Sequence, residues 1–288
     1  MAIKEMLDLF EVDQEKCQRD GLCVAVCPKE IIELKDESPV PCPIDGALKL
    51  CMDCGHCVAI CPHGALSHRA MTSEECPPFV RDMLPGPENV EHLMRARRSI
   101  RVYKDKPVEA ETLTKLLNVA SFAPTWANTQ KIKWVVVNGK EKVERIAGLA
   151  VDWMRDLMKN KGMVDGATVQ LSKAYMMRIG KTVEAWDAGF DLTLRGAPAL
   201  VVAHAPNDYP AANTDCAISL SYLELAASSL GLGSCWAGAL WMVTKNCQSL
   251  REALGIPEGD ANYGMMIGYS KYRYHRLPLR NDTRITWI

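Results

Sequence analysis

The stretch CMDCGHCVAICP, Cys51 to Pro62, decides the fold of the first part of this chain. Its cysteines stand at 51, 54, 57 and 61, and proline follows the last of them. This is the iron–sulfur spacing C-x2-C-x2-C-x3-C-P, whereas a zinc ribbon separates two C-x2-C pairs by a longer stretch. Three closely spaced thiolates can surround one corner of an inorganic cube, and the fourth turns to a second cluster. The run therefore favours electron transfer over structural zinc.

The same pattern occurs 34 residues earlier as CQRDGLCVAVCP, residues 17–28. CVAVCP against CVAICP is a near-exact internal repeat, which marks two copies of one small unit. Over about residues 12–68 the segment resembles the two-cluster bacterial ferredoxins. The resemblance implies crossed ligation, with one cluster on Cys51, Cys54, Cys57 and Cys27. It assigns the other cluster to Cys17, Cys23, Cys61 and whatever stands at position 20.

Position 20 departs from the ferredoxin pattern, because Asp20 replaces the expected cysteine. A carboxylate is a harder ligand than a thiolate and binds this kind of iron less strongly. Three outcomes stay open: Asp20 ligates the fourth iron, water or hydroxide does, or a 3Fe–4S cluster remains. We favour Asp20 as an actual or labile ligand over a solvated turn residue, because it precedes Gly21 as Cys54 precedes Gly55. Cys42 is a weaker substitute, since its spacing fits no part of the repeat.

The composition indicates one large domain and a small one, with 288 residues and 48% hydrophobic content. Seven of the 12 cysteines belong to the two motifs, and the scatter of the others does not suggest disulfides. Iron–sulfur ligation needs reduced thiolates. The N-terminus is charged without an apolar signal core, and no run approaches the length of a membrane helix. We therefore expect a cytoplasmic protein with no membrane partner.

Charge is distributed unevenly along the chain. Residues 1–78 carry 7 Lys/Arg against 14 Asp/Glu, and the remainder carries 27 against 21. An acidic electron-carrying module beside a basic one suits electrostatic docking. The balance gives no reason to expect nucleic-acid binding.

Three segments are expected: an iron–sulfur domain at 1–78, a linker at 79–90 and a second domain at 91–288. The proline-rich stretch 76–90 reads as a linker or wrapping loop. Apolar spacing predicts helices near 109–122 and 212–230, the second stopped by Gly231. Apolar runs at 134–137, 199–202 and 264–269 predict strands, so the second domain is expected to be α+β.

The second domain opens with RARRSIR, residues 95–101, in which four arginines lie within seven residues. A guanidinium group binds two phosphate or carboxylate oxygens at once, so the cluster predicts an anion-binding site. The alternative is a solvent-exposed basic surface without a ligand. FAPTWANTQ at 122–130, GLGSCWAGAL at 231–240 and YRYHRLPLR at 272–280 follow in order. Together these motifs resemble the FMN-dependent nitroreductase family across about residues 90–288. The implied architecture is an α+β domain with a mixed central sheet in a domain-swapped homodimer, with flavins at the subunit interface.

The nitroreductase resemblance assigns roles to residues that match its motifs. The arginine loop would hold the flavin phosphate, ribityl chain and pyrimidine edge, and the basic tail would return to the phosphate. The loop at 124–128 would cover the flavin from the partner subunit, and a Gly-Ala pair would face the flavin's reactive nitrogen. Small residues there let the main chain approach the ring. The implied FMN contacts are Arg97, Arg98, Ser99, Arg101, Pro124, Thr125, Trp126, Asn128, Gly238, Ala239, Arg276 and Arg280.

Some positions depart from the nitroreductase pattern or are left without a role. Trp126 is larger than the usual residue, and either stacks on a flat substrate or fills the loop. Cys235 lies near the predicted flavin without a nearby base, which favours a buried thiol over a nucleophile. Glu224, in an apolar helix, is expected to be a satisfied core carboxylate rather than a flavin contact. The scattered methionines are expected to fill the core, and the histidines show no ligand spacing.

The leading functional hypothesis is an iron–sulfur flavoprotein reductase. Clusters exchange single electrons, whereas a flavin accepts single electrons and delivers pairs. Electrons would pass through the clusters to FMN and then to a planar acceptor such as a nitroaromatic, and no catalytic side chain is required. The alternatives are an adapter that docks to another redox enzyme, and a flavin reductase for dehalogenation or enone reduction. No G-x-G-x-x-G unit follows a strand, so the donor stays open between reduced ferredoxin and NAD(P)H.

Overall fold

The computed structural model describes residues 9–164 and 167–288. Residues 1–8 lie outside the described part. They begin the charged N-terminal stretch in which the sequence showed no apolar signal core. The chain divides into two compact units. The first comprises Met1–Pro85 with Ala127–Thr129, and the second comprises Gly86–Trp126 with Gln130–Ile288.

The first unit is built from short elements around a small apolar core. Two antiparallel ribbons form it, one pairing β1 with β4 and the other pairing β2 with β3. Leu9, Ile31, Ile32, Val58 and Leu66 are buried in its centre. The elements are β1 (Phe10–Val12), α1 (Leu22–Ala25), β2 (Ile32–Glu33), β3 (Cys42–Pro43), α2 (Ala47–Leu50), α3 (His56–Ile60) and β4 (Leu66–His68).

The sequence repeat is also a repeat of backbone conformation. Gly21 and Gly55 each precede a short helix, and both have a φ of 71° in the left-handed region. Glycine adopts this conformation without the steric cost that a side chain brings. Because the two turns coincide, Asp20 occupies the backbone position that Cys54 occupies in the second copy.

The second unit contains the longer helices and the main sheet. Its helix α4 begins at Pro87, inside the stretch that was predicted as a linker, because proline is well suited to the first helical turn. The helices are α4 (Pro87–Ala96), α5 (Ala110–Ala120), α6 (Lys140–Lys159), α7 (Lys173–Asp187), α8 (Ala212–Ser229), α9 (Gly238–Thr244) and α10 (Gln248–Leu254). The strands are β5 (Lys133–Asn138), β6 (Met163–Val164), β7 (Ala167–Thr168), β8 (Ala199–Ala205), β9 (Gly233–Trp236) and β10 (Ala261–Gly268).

The main sheet has the strand order β5-β8-β10-β9. The prediction of a mixed sheet is corrected in part, because every ladder between these four described strands is antiparallel. A parallel pairing does occur, but as an isolated bridge between Ser99 and Ser234. That bridge holds the arginine loop against β9, at the edge of the sheet.

All seven residues of β8 are buried, and they alternate between two faces. Leu200 and Val202 join the core formed with α6, α7, α9 and α10. Val201 and Ala203 join the core formed with α5 and α8. The central strand therefore has apolar partners on both sides, as its continuous apolar sequence predicted.

The helices predicted near 109–122 and 212–230 and the three predicted strands are confirmed. β5 is only half-buried, because it lies at the edge of the sheet. The tail 283–288 is exposed and has no ladder with any described strand. Within the described residues, no helix combines the length and the apolarity needed to cross a membrane.

Candidate functional site

The first unit brings together the cysteines that were predicted to hold one cluster. Cys27 from the first motif and Cys51, Cys54 and Cys57 from the second line the same cavity. Burial raises the pKa of the Cys57 thiol to about 11, and the neighbouring Cys54 and Cys51 contribute to the rise. Such a thiol stays protonated near neutral pH unless a cation compensates for the buried charge. A cavity to which two motifs contribute four cysteines fits an iron–sulfur cluster, whose iron would compensate for the buried thiolate charge.

The second predicted set is also drawn together across the two motifs. Burial raises the pKa of the Cys23 thiol, and Cys17 and Cys61 lie close enough to add to it. The Sγ of Cys61 accepts a hydrogen bond from the backbone N–H of Ala65 at 3.4 Å. This set fits the crossed arrangement in which the last cysteine of one motif joins the other.

Asp20, the predicted fourth ligand of that set, keeps one carboxylate oxygen on the backbone. Its Oδ1 accepts from the N–H of Leu22 at 3.1 Å. Its Oδ2 lies 4.0 Å from Nε2 of His63, and the carboxylate is about one third exposed. Cys42 instead lies on β3, where its Sγ is 4.0 Å from Oε1 of Glu33.

His68 was not identified from the sequence, yet it is buried beside a predicted ligand. Its Nε2 lies 3.4 Å from the Sγ of Cys51 and 3.6 Å from Oδ1 of Asp53. Its Nδ1 accepts a hydrogen bond from the N–H of Ala70 at 3.0 Å. Arg69 neutralises Asp53 through two hydrogen bonds, of 2.9 and 3.1 Å. The only feature of the sequence that could have indicated a role for His68 was its position seven residues after Cys61.

In the second unit, the arginine loop begins with an internal ion pair. Nη1 of Arg97 lies 3.3 Å from Oε1 of Glu224, whose other oxygen accepts from Nε1 of Trp236 at 3.4 Å. Glu224 is nearly buried and satisfied by these two donors, as expected. The ion pair with Glu224 thus largely neutralises the charge of Arg97.

Arg98 retains free binding capacity. Its Nη1 donates to the carbonyl of Arg97 at 2.6 Å, whereas its buried Nη2 has no hydrogen-bond partner among the described residues. The guanidinium lines a cavity of about 140 Å³ with Ser234, Tyr272 and Tyr274. An orphaned guanidinium nitrogen beside hydroxyl groups fits a phosphate.

Arg101, Gly238 and Ala239 line a second cavity, of about 280 Å³. A Cβ built at Gly238 would meet no atom within 4 Å, so the space above this backbone is open. Burial raises the pKa of the Cys235 thiol in the same wall, and Arg101 and Ser99 oppose that rise. Cys235 is 3% exposed, which agrees with a buried thiol rather than a nucleophile. The open backbone fits a planar ring, as the resemblance implied.

Three further polar residues of this cavity escaped the sequence reasoning. Arg178 from α7 and Arg195 from the loop before β8 add two guanidinium groups. Thr193 is 3% exposed, and its Oγ1 has no hydrogen-bond partner among the described residues. No motif marks these positions, so only the fold reveals them.

The loop at 124–128 is held by backbone and side-chain hydrogen bonds. The N–H of Trp126 donates to both oxygens of Asp215, each at 3.1 Å. The Trp126 ring is stacked against Tyr209 and is 49% exposed. Thr125 Oγ1 accepts from the N–H of Gln130, whereas Pro124 is exposed.

Of the twelve predicted flavin contacts, only Arg98, Arg101, Gly238 and Ala239 line one of the two cavities. Asn128 belongs to the first unit, where its amide donates to the carbonyls of Met52 and Asp53 at 3.0 and 3.1 Å. Arg276 and Arg280 lie in the exposed tail. The single chain therefore places Arg101 beside the Gly-Ala pair and Arg98 in the other cavity, but it brings neither the covering loop nor the basic tail to them.

Comparisons with known proteins agree with this arrangement. The profile of the nitroreductase family matches residues 94–269, and that of the 4Fe-4S dicluster domain matches residues 15–66. A protein of Archaeoglobus fulgidus, provisionally named NADH dehydrogenase/NAD(P)H nitroreductase, is 27% identical over 184 residues. The match spans 62% of this chain and 84% of that protein. Ferredoxin-1 of Nitratidesulfovibrio vulgaris is 57% identical over 30 residues, which span 10% of this chain and 48% of the ferredoxin.

A solved structure shows the same fold for the second unit. The nitroreductase of Bacteroides fragilis, crystallised with bound FMN, matches with a TM-score of 0.56 and 21% sequence identity. The likeness covers 69% of this chain and 98% of the other. The chain therefore belongs to the nitroreductase family, and it is an FMN-dependent oxidoreductase that also carries a 4Fe-4S dicluster domain.

Proposed function

We propose that this protein passes electrons from two iron–sulfur clusters to FMN and on to a planar acceptor such as a nitroaromatic. The observation that carries the proposal is the open cavity of the second unit. Arg101 and the pair Gly238–Ala239 are far apart in sequence, and they meet there around a space suited to a flat ring. FMN, when bound, supplies chemistry that takes up single electrons and delivers pairs.

The residues of the second unit would bind and orient the flavin. Arg98 offers an unpartnered guanidinium nitrogen to the phosphate, and Ser99 lies on the loop bridged to β9. Gly238 leaves room for the ring to approach the main chain, where backbone donors can stabilise charge that develops on it. Arg276, Arg280 and the loop Pro124–Asn128 are proposed to act across the subunits of a domain-swapped homodimer.

The residues of the first unit would hold the electron-carrying clusters. Cys27, Cys51, Cys54 and Cys57 are proposed for one cluster, because they line one cavity. The other cluster would take Cys17, Cys23, Cys61 and Asp20, as a 4Fe–4S or a 3Fe–4S form. We propose residues 1–78 as the iron–sulfur domain, 79–90 as a linker and 91–288 as the flavin domain. The need for reduced thiolates favours a cytoplasmic location.

An anaerobic stopped-flow experiment tests the proposal. The full-length protein, reduced beforehand with limiting dithionite, is mixed with a nitroaromatic while flavin and cluster absorbances are followed separately. Rapid reoxidation of the flavin, followed by reoxidation of the clusters, is expected. A reduced flavin that persists would exclude nitro reduction and favour an adapter role or another flavin-dependent reduction. A parallel mixing with NADPH, NADH or reduced ferredoxin identifies the donor.

A further inference from the structure

We propose that Arg178 and Arg195 form an anion-binding subsite beside the flavin position, which selects planar aromatic acceptors that carry a carboxylate. This inference rests on the proposed function and assigns the substrate class of that same cavity. Both guanidinium groups line the cavity of about 280 Å³ together with Gly238. That volume lies just below the range of about 300–1,000 Å³ that is typical of small-molecule sites, so it suits a small ligand.

The polar groups of the cavity wall are mostly donors. No carboxylate lines the cavity, and neither Arg178 nor Arg195 has an ion-pair partner within 4 Å in the part of the chain that the structure describes. The buried hydroxyl of Thr193 and the indole N–H of Trp241 also lack hydrogen-bond partners there. Buried donors normally find an acceptor, so a wall with several unpaired donors indicates an acceptor-rich ligand.

The loop that carries two of these donors is held in one conformation. Asp191 accepts three backbone hydrogen bonds from Thr193, Leu194 and Gly196, at 2.8, 2.8 and 2.9 Å. Arg195 lies within this loop with a φ of 61°, a conformation that costs free energy for a residue with a side chain. Strained residues persist where surrounding contacts hold them, so Arg195 is presented to the cavity by a preorganised turn.

The arginines proposed for the flavin are accounted for differently. Arg97 is neutralised by Glu224, Arg98 lines the cavity proposed for the phosphate, and Arg101 lies beside the Gly-Ala pair. Arg178 and Arg195 remain as two positive charges without a counter-charge. Guanidinium groups bind carboxylates in a planar, bidentate manner, which suits a carboxylate in the plane of an aromatic ring.

The rest of the wall fits the ring of such an acceptor. The apolar lining includes Met154, Ile179, Met242, Met266 and Trp236. Thioether and aromatic side chains pack well against flat rings. The cavity therefore combines an apolar surface for the ring with a cationic edge for its carboxylate.

Binding of unreactive ligands to the oxidised, FMN-loaded protein tests the subsite. The full-length protein is titrated with benzoate and with the neutral benzamide, and the flavin absorbance reports binding. The variants are Arg178→Gln, Arg195→Gln and the double variant, and Arg145→Gln, an exposed arginine of α6 outside the cavity, is the control. FMN content is measured for each protein.

Wild type and Arg145→Gln are expected to prefer benzoate by about tenfold or more, because hydrogen bonds to charged groups contribute strongly. The double variant is expected to lose that preference while it retains FMN. Equal affinities in the wild type, or a preference that survives in the double variant, would overturn the proposal. Loss of FMN in the arginine variants would overturn it too, because it would assign both arginines to the flavin.

Single-turnover reoxidation separates this inference from the proposed function. The reduced wild-type protein is mixed with 4-nitrobenzoate and with 4-nitrobenzamide. A flavin that neither compound reoxidises contradicts nitro reduction, whereas reoxidation by both at equal rates contradicts only the subsite. Faster reoxidation by 4-nitrobenzoate, abolished in the double variant alone, supports both.

Discussion

Replacement of His68 by leucine is expected to lower the reduction potential of the cluster proposed on Cys51. The backbone N–H of Ala70 donates a hydrogen bond to Nδ1 of His68. The neutral imidazole therefore carries its proton on Nε2, which lies 3.4 Å from the Cys51 sulfur. His68 is 2% exposed, so water cannot take the place of this donor. Donors to cluster sulfurs stabilise the more negative, reduced state, and their loss makes reduction less favourable.

The size of the effect follows from the energy of one hydrogen bond. A net contribution of about 0.5–1.5 kcal/mol corresponds to about 20–60 mV for a one-electron couple. The separation of 3.4 Å is ordinary for a sulfur acceptor, so we expect a shift within this range. His68→Gln keeps a donor in the side chain, and we expect it to recover at least half of the loss.

A redox titration followed by electron paramagnetic resonance measures both cluster potentials in each protein. His92→Leu, on the exposed surface of α4, serves as the control for a histidine far from the cysteines in sequence. Iron content is determined in parallel, so that a shifted potential is compared only between fully loaded proteins. A His68→Leu protein with full iron content and potentials within about 10 mV of wild type would refute the reasoning.

Three further outcomes are expected. Asp20→Cys should retain all its iron during mild oxidation where the wild type yields a 3Fe–4S signal, because thiolate binds this iron more strongly than carboxylate; equal iron loss would contradict a ligand role at position 20. Arg98→Gln should weaken FMN binding about 10- to 100-fold in a fluorescence titration, since a buried charged donor is removed; an unchanged Kd would contradict its phosphate role. Gly238→Ala should leave the melting temperature nearly unchanged, because a Cβ there meets no protein atom within 4 Å, yet weaken FMN binding by about tenfold; equal FMN affinity would place the ring elsewhere.

The iron–sulfur unit was largely predictable because its information is local. The spacing of the cysteines specifies their chemistry, and Gly21 and Gly55 specify the turns that repeat. The contact between His68 and Cys51 was not predictable, because it depends on how β4 pairs with β1.

The helices and strands of the flavin-binding unit were easier to predict from the sequence than the direction in which its strands pair. Apolar runs and periodicity located β5, β8, β10, α5 and α8, because burial on one or both faces leaves a pattern in the sequence. The direction in which strands pair depends on contacts between segments about 60 residues apart, and periodicity carries no information on that.

The candidate site shows the same division between local and distant information. The arginine loop and Gly238–Ala239 were found because they lie in motifs. Arg178 and Arg195 lie on a helix and a turn without a motif, and folding alone brings them to one cavity. Asp191, two residues before Thr193, was the available signal for a hydrogen-bonded turn, and this pattern is common in loops.

The position of β8 between β5 and β10 has a consequence for how the protein is made. Ribosomes add about 5–20 residues per second, so the roughly 60 residues between the end of β8 and the end of β10 take about 3–12 s to synthesise. During that interval, one side of a largely apolar strand has no hydrogen-bonding partner, and such edges are prone to aggregation. The whole of the first unit precedes this interval in synthesis order. The first unit is therefore fully synthesised before β10 completes the main sheet of the second, and the interval in which β8 lacks this neighbour is when the nascent chain is most exposed to aggregation.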